Sequence, residues 1–412
     1  MRPRNLAAVC LGVAVVLAGG AVYGTVKLRS VPPRPVLTLS LPATYSLDPG
    51  EAPAVPLPAA GSFDLVSNDG GQLGSLGAET VVPIGSVAKV MTALVVLARM
   101  PLSGDAPGPT HTINGNDVAL YDQTIAEDGS ALPVTVGERF TERQMLLGLL
   151  LPSANNLAET LAVWAAGSRD AFLAAMNAEA ATLGMAQTSF ADPSGYSPDT
   201  VSTAADLVLL GQAALSNPEL AELVSTPTAV MPDGTTVENL DTDLGTVPGW
   251  LGIKTGSTPE AGGCLLFAAA GPTPLGKPQV LVIGAILGQD SLDSALQGAA
   301  TAVDAALAGY DTVYPATVTP PLVAGAVTSR WGRSSGLTAA YLSGTESVTV
   351  PWGTGLQLRL QGPATRHLVA PVGAGTVVAT VTGSLDGTTV ATWRVVTSVA
   401  VAAPSWEWRL TP

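Results

Sequence analysis

Segments with the pattern of β-strands stand at both ends of residues 61–310, and helical patterns fill the stretch between them. Near the start, residues 63–66 and 73–79 flank Asn68-Asp69-Gly70-Gly71, which is typical of a hairpin. Three apolar runs near the end are separated by turns and are typical of adjacent strands: 250–256, 263–270 and 279–287. This order predicts an α/β (α+β) fold, with an antiparallel sheet whose first and last strands pair around an inserted helical region.

The helical patterns of the middle have recognisable starts and stops. Thr141-Glu142-Arg143-Gln144 has the form of a capping box, and Pro152 ends the helix that it opens. We expect further helices over 153–167, over 168–183 with Ser168 as a cap, over 204–215 and over 295–307. Residues 101–140 are rich in Gly, Asp and Thr, and we expect mixed loop and strand there.

The remaining regions predict a different organisation. Residues 311–412 are rich in Val and Thr, with a hairpin signal at Leu385-Asp386-Gly387, and predict a separate all-β domain. Eight prolines between Pro32 and Pro58 indicate that residues 30–60 are an extended linker. Residues 61–310 are then the principal domain.

The N-terminus predicts a membrane segment within residues 1–29. Arg2 and Arg4 precede an apolar run over 6–26, and Lys27 and Arg29 follow it. The run has nearly the length of a membrane-spanning helix, which favours an uncleaved anchor in the plasma membrane with the rest of the chain exported. The alternative is a signal peptide that is cleaved near Gly24, which would release a secreted protein.

Composition excludes several classes of protein. A net charge of −14 argues against a nucleic-acid partner. His111 and His367 are far apart, and neither lies in a cluster with metal-ligand spacing, so we expect neither a zinc site nor another cofactor. Cys264 lies in an apolar run and Cys10 in the first hydrophobic segment, so we expect no disulfide.

Ser86-x-x-Lys89 is the strongest candidate for chemistry. A helical pattern begins at Ser86, so the serine hydroxyl and the lysine amine would lie on one face. A lysine in a low-dielectric pocket loses its proton readily and can act as a base for the serine. The chain has four lysines against fourteen arginines. Because arginine cannot be deprotonated, a chain that otherwise uses arginine has a reason to keep lysine here.

Two further motifs follow in the chain. Ser153-Ala154-Asn155 offers a hydroxyl that can relay a proton and an amide that can hold a carbonyl, although Ser153 alone could be only a helix cap. Lys254-Thr255-Gly256 offers a cation and a hydroxyl for a carboxylate, although alone it could be only a strand end and turn. The backbone N–H of Ser257 could pair with that of Ser86 as an oxyanion hole.

In this order the three motifs resemble those of the low-molecular-mass penicillin-binding proteins that are serine-type D-alanyl-D-alanine carboxypeptidases. The resemblance covers about residues 60–310 and extends beyond the motifs. It includes Thr135-Val136-Gly137-Glu138, Asp192-Pro193-Ser194-Gly195-Tyr196 and Ala261-Gly262-Gly263-Cys264. Residues 311–412 resemble the family's C-terminal domain more loosely. The resemblance implies the penicillin-binding/β-lactamase-like transpeptidase fold.

The resemblance also implies roles. Ser86 would attack the penultimate D-Ala carbonyl of a peptidoglycan stem peptide, Lys89 would be the general base, and Ser153 would pass the proton to the leaving D-Ala. The substrate would be bound by Asn155, Lys254, Thr255, Gly256 and Ser257, and β-lactams would acylate Ser86. A β-lactamase is disfavoured because no glutamate is placed as a deacylation base.

The sequence departs from the family in ways that keep alternatives open. Ala154 and Asn156 replace residues that are common in the second motif, and the region of Gln297 lacks an arginine that often assists carboxylate binding in the family. A D,D-endopeptidase that cuts cross-linked peptidoglycan could use the same residues. The absent arginine also motivates a cell-wall-binding protein of weak activity on the same fold.

Overall fold

The computed structural model describes residues 3–42, 44–46, 54–68, 71–271, 280–313, 323–331, 340–343, 348–351, 355–385 and 387–411. Within them the chain forms two compact units: residues 54–310 make one, and residues 3–46 together with 311–411 make the other. We call these the catalytic unit and the β unit. Asp69, Gly70, Asp386, Lys277, Gln279 and Arg2, which entered the sequence interpretation, lie outside the described residues.

The elements are numbered in chain order. The helices are α1 Pro3–Arg29, α2 Lys89–Arg99, α3 Gly115–Ala126, α4 Glu142–Leu150, α5 Asn155–Ala166, α6 Arg169–Leu183, α7 Ala204–Ser216, α8 Pro218–Val224, α9 Leu292–Ala308 and α10 Trp406–Leu410. The first strands are β1 Val36–Ser40, β2 Thr44–Ser46, β3 Ser62–Ser67, β4 Gln72–Leu76, β5 Val82–Pro83, β6 Thr110–Thr112, β7 Arg139–Thr141, β8 Val201–Ser202, β9 Thr228–Val230 and β10 Thr236–Glu238. The remaining strands are β11 Trp250–Thr258, β12 Gly262–Ala270, β13 Leu281–Gln289, β14 Tyr310–Val313, β15 Ala324–Thr328, β16 Ala340–Ser343, β17 Val348–Pro351, β18 Gly355–Gln361, β19 Thr365–His367, β20 Val377–Leu385 and β21 Thr388–Thr397.

The catalytic unit is built on a five-stranded antiparallel sheet in the order β11-β12-β13-β3-β4. The predicted pairing of the first and last strands is present, because β3 lies beside β13 with Phe63 opposite Ile286. Alternate residues of β12 point to opposite faces. Leu266 packs into the core shared with the helical region, and Phe267 packs into the core shared with α9.

The inserted helical region follows its caps closely. The Thr141 side chain accepts a hydrogen bond from the Gln144 backbone N, and the Gln144 side chain accepts one from the Thr141 backbone N. This capping box begins α4 as predicted. Ser168 caps α6. The prediction of mixed loop and strand over 101–140 is wrong in part, because α3 occupies residues 115–126. Its two buried side chains, Asp117 and Thr124, are polar, and Val118 and Tyr121 are only partly buried, so this helix has no fully buried apolar face.

The β unit corrects the prediction of a linker over residues 30–60. Strand β1, from the proline-rich segment, lies between β15 and β19, and Leu37 and Leu39 are buried in the core of this unit. Strand β2 pairs with β18 at the edge of a second sheet in the order β16-β21-β20-β18-β2. The predicted hairpin around Gly387 is formed by β20 and β21. The short helix α10 lies in a region where we expected only strands.

Helix α1 is the N-terminal segment. Its residues from Val9 to Arg29 are long and apolar enough to cross a membrane, and none of this stretch is buried against the protein. Cys10 is exposed on it, and Cys264 is buried in β12; neither is in a disulfide.

Candidate active site

Ser86 and Lys89 meet at the start of α2. A 3₁₀ turn over Gly85–Ala88 precedes the helix, which begins at Lys89. We expected the regular helix to begin at Ser86. The Lys89 Nζ lies 2.7 Å from the Ser86 Oγ, within hydrogen-bonding distance. The 3₁₀ turn therefore places the Ser86 hydroxyl and the Lys89 amine in the contact that their three-residue spacing predicts.

Lys89 is completely buried and donates to two further acceptors. Its Nζ lies 2.7 Å from the Asn155 Oδ1 and 2.9 Å from the carbonyl oxygen of Ser194. Burial lowers the pKa of Lys89 well below its ordinary value, the positive charge of Lys254 lowers it further, and the carboxylate of Asp192 opposes the shift. An amine in this setting gives up its proton readily and is suited to act as a base for Ser86.

The segment that supplies the Ser194 carbonyl was not assigned a function from the sequence. The Asp192 Oδ2 accepts from the Ser194 N at 3.1 Å, the Ser194 Oγ at 2.5 Å and the Tyr196 N at 3.0 Å. The other oxygen of Asp192 accepts from the Thr200 Oγ1 at 2.6 Å. Asp192 thus fixes the loop that faces Lys89. An Asp two residues before a Ser is typical of an Asx turn, and this signal could have identified the loop.

Ser153 lies in an unusual backbone conformation directly before α5. Its φ is +63°, its side chain is buried, and its hydroxyl has no hydrogen-bond partner among the described residues. The interpretation of Ser153 as a helix cap is wrong, because the N-cap of α5 is Ala154. A buried hydroxyl without a partner costs stability, and strained residues of this kind cluster at functional sites.

Asn155 is the first residue of α5. Its backbone N donates to the carbonyl oxygen of Ser130, and its side chain receives the bond from Lys89. The structure therefore brings together Ser86, Lys89 and Asn155 from the first two motifs.

Lys254 and Thr255 are buried in β11. The Lys254 Nζ donates to the carbonyl oxygen of Thr255 at 3.0 Å and lies 3.3 Å from its Oγ1. Burial lowers the pKa of Lys254 to about 7, and the carboxylate of Asp241 opposes this shift. Because the charge of Lys254 also lowers the pKa of Lys89, the two lysines lie within electrostatic reach of each other.

Asp241 is a second residue that the sequence interpretation missed. It is buried, its carboxylate accepts from the Trp250 Nε1 at 2.9 Å, and burial raises its pKa to about 6. The Leu240 N donates to the Leu151 oxygen at 3.2 Å, which holds this loop against the turn that leads to Ser153. Asp241 reaches Lys254 only through tertiary contacts, so no local sequence pattern predicts its effect on the pKa of Lys254.

Strand β11 packs directly on the 3₁₀ turn. A methyl group at Gly256 would lie 2.8 Å from the Ile84 oxygen and 3.0 Å from the Ser86 N, so only glycine permits this approach. A methyl group at Gly85, whose φ is +54°, would lie 3.2 Å from the Ser257 N. The backbone N–H groups of Ser86 and Ser257 thus belong to two closely packed segments, as an oxyanion hole requires.

Comparison with known proteins decides the family. The family model described as D-alanyl-D-alanine carboxypeptidase matches residues 51–285. The chain belongs to the D-alanyl-D-alanine carboxypeptidase family. It is a serine-type hydrolase with the penicillin-binding protein fold, as the sequence motifs predicted.

Individual relatives of this chain carry different names. The chain is 36% identical over 228 residues to the D-alanyl-D-alanine carboxypeptidase DacB2 of Mycobacterium tuberculosis; the matched region is 53% of this chain and 74% of that protein. It is 35% identical over 242 residues to a D-alanyl-D-alanine endopeptidase of Pseudomonas aeruginosa, which covers 56% and 74%. The crystal structure of the Streptomyces K15 DD-transpeptidase is similar with a TM-score of 0.53 at 31% identity, over 64% of this chain and all of that one.

The arginine that the family often has near the start of its last helix is also absent from this structure. Helix α9 contains no arginine, and Gln297 is exposed on it. Among the described residues, no three His, Cys, Asp or Glu side chains are grouped so that they could hold a metal ion.

Proposed function

We propose that this carboxypeptidase removes the terminal D-Ala of peptidoglycan stem peptides through an acyl-enzyme on Ser86. The observation that carries the proposal is the buried Lys89 Nζ, 2.7 Å from the Ser86 Oγ, with a pKa lowered by burial. Lys89 takes the proton as Ser86 attacks the penultimate carbonyl. Water then hydrolyses the ester and regenerates the serine.

The other site residues bind and position the peptide. The backbone N–H groups of Ser86 and Ser257 stabilise the oxyanion. Asn155 holds the peptide beside Lys89, and the unpaired hydroxyl of Ser153 passes a proton to the leaving amine. Lys254 and Thr255 bind the terminal carboxylate, without help from an arginine on α9.

A D,D-endopeptidase is the second candidate. It is supported by the relative in Pseudomonas aeruginosa, which bears that name at almost the same identity as the carboxypeptidase relative. The leaving group is then the amine of a second stem peptide in place of free D-Ala. The chain's own site residues would perform the same steps in either reaction.

The partners follow from the same site. β-Lactams would acylate Ser86 because they present a reactive carbonyl beside a carboxylate. Helix α1 would anchor the enzyme in the plasma membrane, with Arg4 on the inner side and the remainder of the chain on the outer face. Lys27 and Arg29 end the helix at its outer side.

The deciding experiment is the intact mass of the full chain after incubation with a penicillin, beside Ser86→Ala. One penicilloyl adduct on the parent and none on the variant supports the acyl-enzyme. A folded parent without an adduct contradicts it and favours a wall-binding protein. Incubation with a pentapeptide and with a cross-linked dimer then separates the two reactions, because free D-Ala appears from the first and monomers from the second.

A further inference from the structure

A basic cavity lies within the β unit, beside the C-terminal end of α1. It has a volume of about 560 Å³. Residues that directly follow α1 line one side of it, and residues from α10 and from the end of β15 line the other. The lining residues that carry the argument are Lys27, Ser30, Arg330, Trp408 and Arg409.

The walls of this cavity are held by specific contacts. The Arg409 Nη1 donates to the carbonyl oxygen of Leu28 at 2.7 Å, which ties α10 to the last turn of α1. The Trp408 Nε1 donates to the Arg330 oxygen at 3.2 Å, and the Trp408 ring packs on that of Trp331 with centroids 5.6 Å apart. The two ends of the chain therefore build one site together.

The charge of the cavity is one-sided. Lys27, Arg330 and Arg409 contribute three cations, and no aspartate or glutamate is among the described residues that line it. Three like charges around one cavity repel each other, and an anion in the centre would turn this repulsion into attraction. Arginine donors are also suited to phosphate oxygens because they offer several N–H groups in a fixed plane.

The position of the cavity indicates where the anion comes from. It lies where the membrane-spanning stretch Val9–Arg29 ends, at the level of a bilayer's headgroups if α1 remains an anchor, as proposed above. Trp406, beside it on α10, is 64% exposed, and tryptophan is enriched at membrane interfaces. We infer that this cavity binds the phosphate-bearing headgroup of an anionic phospholipid.

Native mass spectrometry of the full chain tests this inference. The detergent-purified protein is mixed with phosphatidylglycerol or with phosphatidylcholine, and lipid-bound species are counted. We expect the parent to retain one phosphatidylglycerol. We expect Lys27→Gln/Arg330→Gln to bind it at least about tenfold more weakly, because two of the three cations are lost. Arg359→Gln/Arg394→Gln, which removes the same charge from exposed strand positions of the β unit, should bind it like the parent.

Three outcomes would overturn the inference. Equal retention of phosphatidylcholine would mean that the negative charge is not recognised. Equal loss in both double variants would mean that only net charge matters. Displacement of the lipid by an equal concentration of glycerol phosphate would assign the cavity to a free phosphate compound.

The same spectra separate this inference from the proposed anchor and activity. A purified chain whose mass lacks the first residues through about Gly24 contradicts the anchor. Penicillin acylation, measured on the same samples, reports on the active site alone. An intact, acylated chain that retains no phosphatidylglycerol contradicts the lipid site only.

Discussion

At the scale of single residues, the site depends on two buried lysines that disfavour each other's charge. In the proposed mechanism, Lys89 acts without its proton when it activates Ser86, and Lys254 acts with its proton when it binds a carboxylate. Because each positive charge opposes the other, the protonated state of Lys254 favours the neutral state of Lys89. The repulsion between them therefore favours a neutral Lys89 beside a protonated Lys254.

Lys89→Arg tests the need for a neutral amine. Arginine keeps the positive charge but cannot lose its proton near neutral pH, so we expect acylation by penicillin to slow by at least about 100-fold. Stopped-flow measurement of acylation gives the rate. Lys89→Met, which removes the base altogether, should be similarly slow. Near-parental acylation by the folded arginine variant would exclude Lys89 as the base.

Asp241→Asn tests how Lys254 keeps its proton. Asparagine can still accept from the Trp250 Nε1, but the carboxylate that raises the pKa of Lys254 is gone. We therefore expect the alkaline limb of kcat/KM to move down by roughly one pH unit. Below about pH 6, where Asp241 is itself protonated, the variant and the parent should converge.

Trp250→Phe is the matched control, because it removes the hydrogen bond and keeps the Asp241 carboxyl. Loss of that bond raises the pKa of Asp241 but does not remove its charge altogether, so we expect the alkaline limb to move less than in Asp241→Asn. Besides Asp241, the charge of Lys89 on α2 interacts with that of Lys254. Asp192 acts on Lys89, and Asp243 acts on Asp241. An alkaline limb that moves equally in both variants would assign Asp241 a structural role only.

Glu142→Gln tests a buried carboxylate outside the site. Glu142 is fully buried, neither oxygen has a hydrogen-bond partner among the described residues, and burial raises its pKa from 4.5 to about 7. The folded state therefore binds this proton more tightly than the unfolded state, and the parent should lose stability as the pH rises from 4.5 through 7. The variant should avoid this loss, with a gain on the order of 2 kcal/mol at pH 8. Urea unfolding at pH 5 and pH 8 measures it; an equal difference at both would contradict the prediction.

The sequence pointed to candidate residues that are close along the chain, and it missed carboxylates that reach the candidate site from distant segments. Ser86 and Lys89 are three residues apart, and the scarcity of lysine drew attention to them. Asp192 and Asp241 approach the lysines only after the chain has folded. The turn signal at Asp192 does not point to a lysine, and Asp241 has no local signal; both carboxylates are distinguished by their burial.

At the scale of elements, the close packing of β11 on the 3₁₀ turn sets the position of Ser86, the proposed nucleophile. No side chain separates the two backbones at Gly256, so the turn and the strand hold the N–H groups of Ser86 and Ser257 in one place. The loop around Asp192 supports the turn from another side, since a methyl group at Gly195 would lie 1.8 Å from the Gly85 oxygen.

Gly256→Ala should disturb this packing. The added methyl group meets three backbone atoms, which cannot move aside as a flexible side chain would, so the turn must shift. A displacement of about 1 Å at a reacting group can cost about 100-fold in rate, and we expect a loss of that order in penicillin acylation. Gly115→Ala, where no atom lies within 4 Å of the added methyl group, is the control and should acylate normally. A normal rate in the Gly256 variant would mean that the approach is not required.

Helices with a buried apolar face could be predicted, and a capping box without such a face was not enough. Helix α4 has both a capping box and a buried face. Helix α3 has the capping box of Asn114 and Asp117, but most of its residues are exposed and its two buried side chains are polar.

At the scale of the whole molecule, the sequence predicted the pairing of β3 with β13 because strand patterns stood at both ends of the helical region. It did not predict the place of β1. Proline content indicated a linker, and five residues with an alternating burial pattern are too few to distinguish a strand from an extended connection. Only the partners of β1, far away in the sequence, identify it.

A chain that begins at residue 52 should therefore lose the fold of the β unit. The deletion removes the strand between β15 and β19 and two buried leucines, and leaves the sheet and helices of the catalytic unit complete. We expect trypsin to digest residues 311–412 rapidly while penicillin still acylates Ser86. A chain that begins at residue 30 is the control and should resist digestion. Equal resistance of both chains would contradict the prediction.

The central place of β1 also imposes an order on how the protein is completed during synthesis. Ser40 leaves the ribosome early, but Ala324, which it faces in the sheet, follows 284 residues later. Contacts of such long sequence separation form slowly, and an unpaired strand is open to wrong partners in the meantime. The catalytic unit, whose residues all lie within 54–310, can close first. The β unit then forms only after β15 and β19 have been synthesised, so β1 has neither of its sheet partners until late in translation.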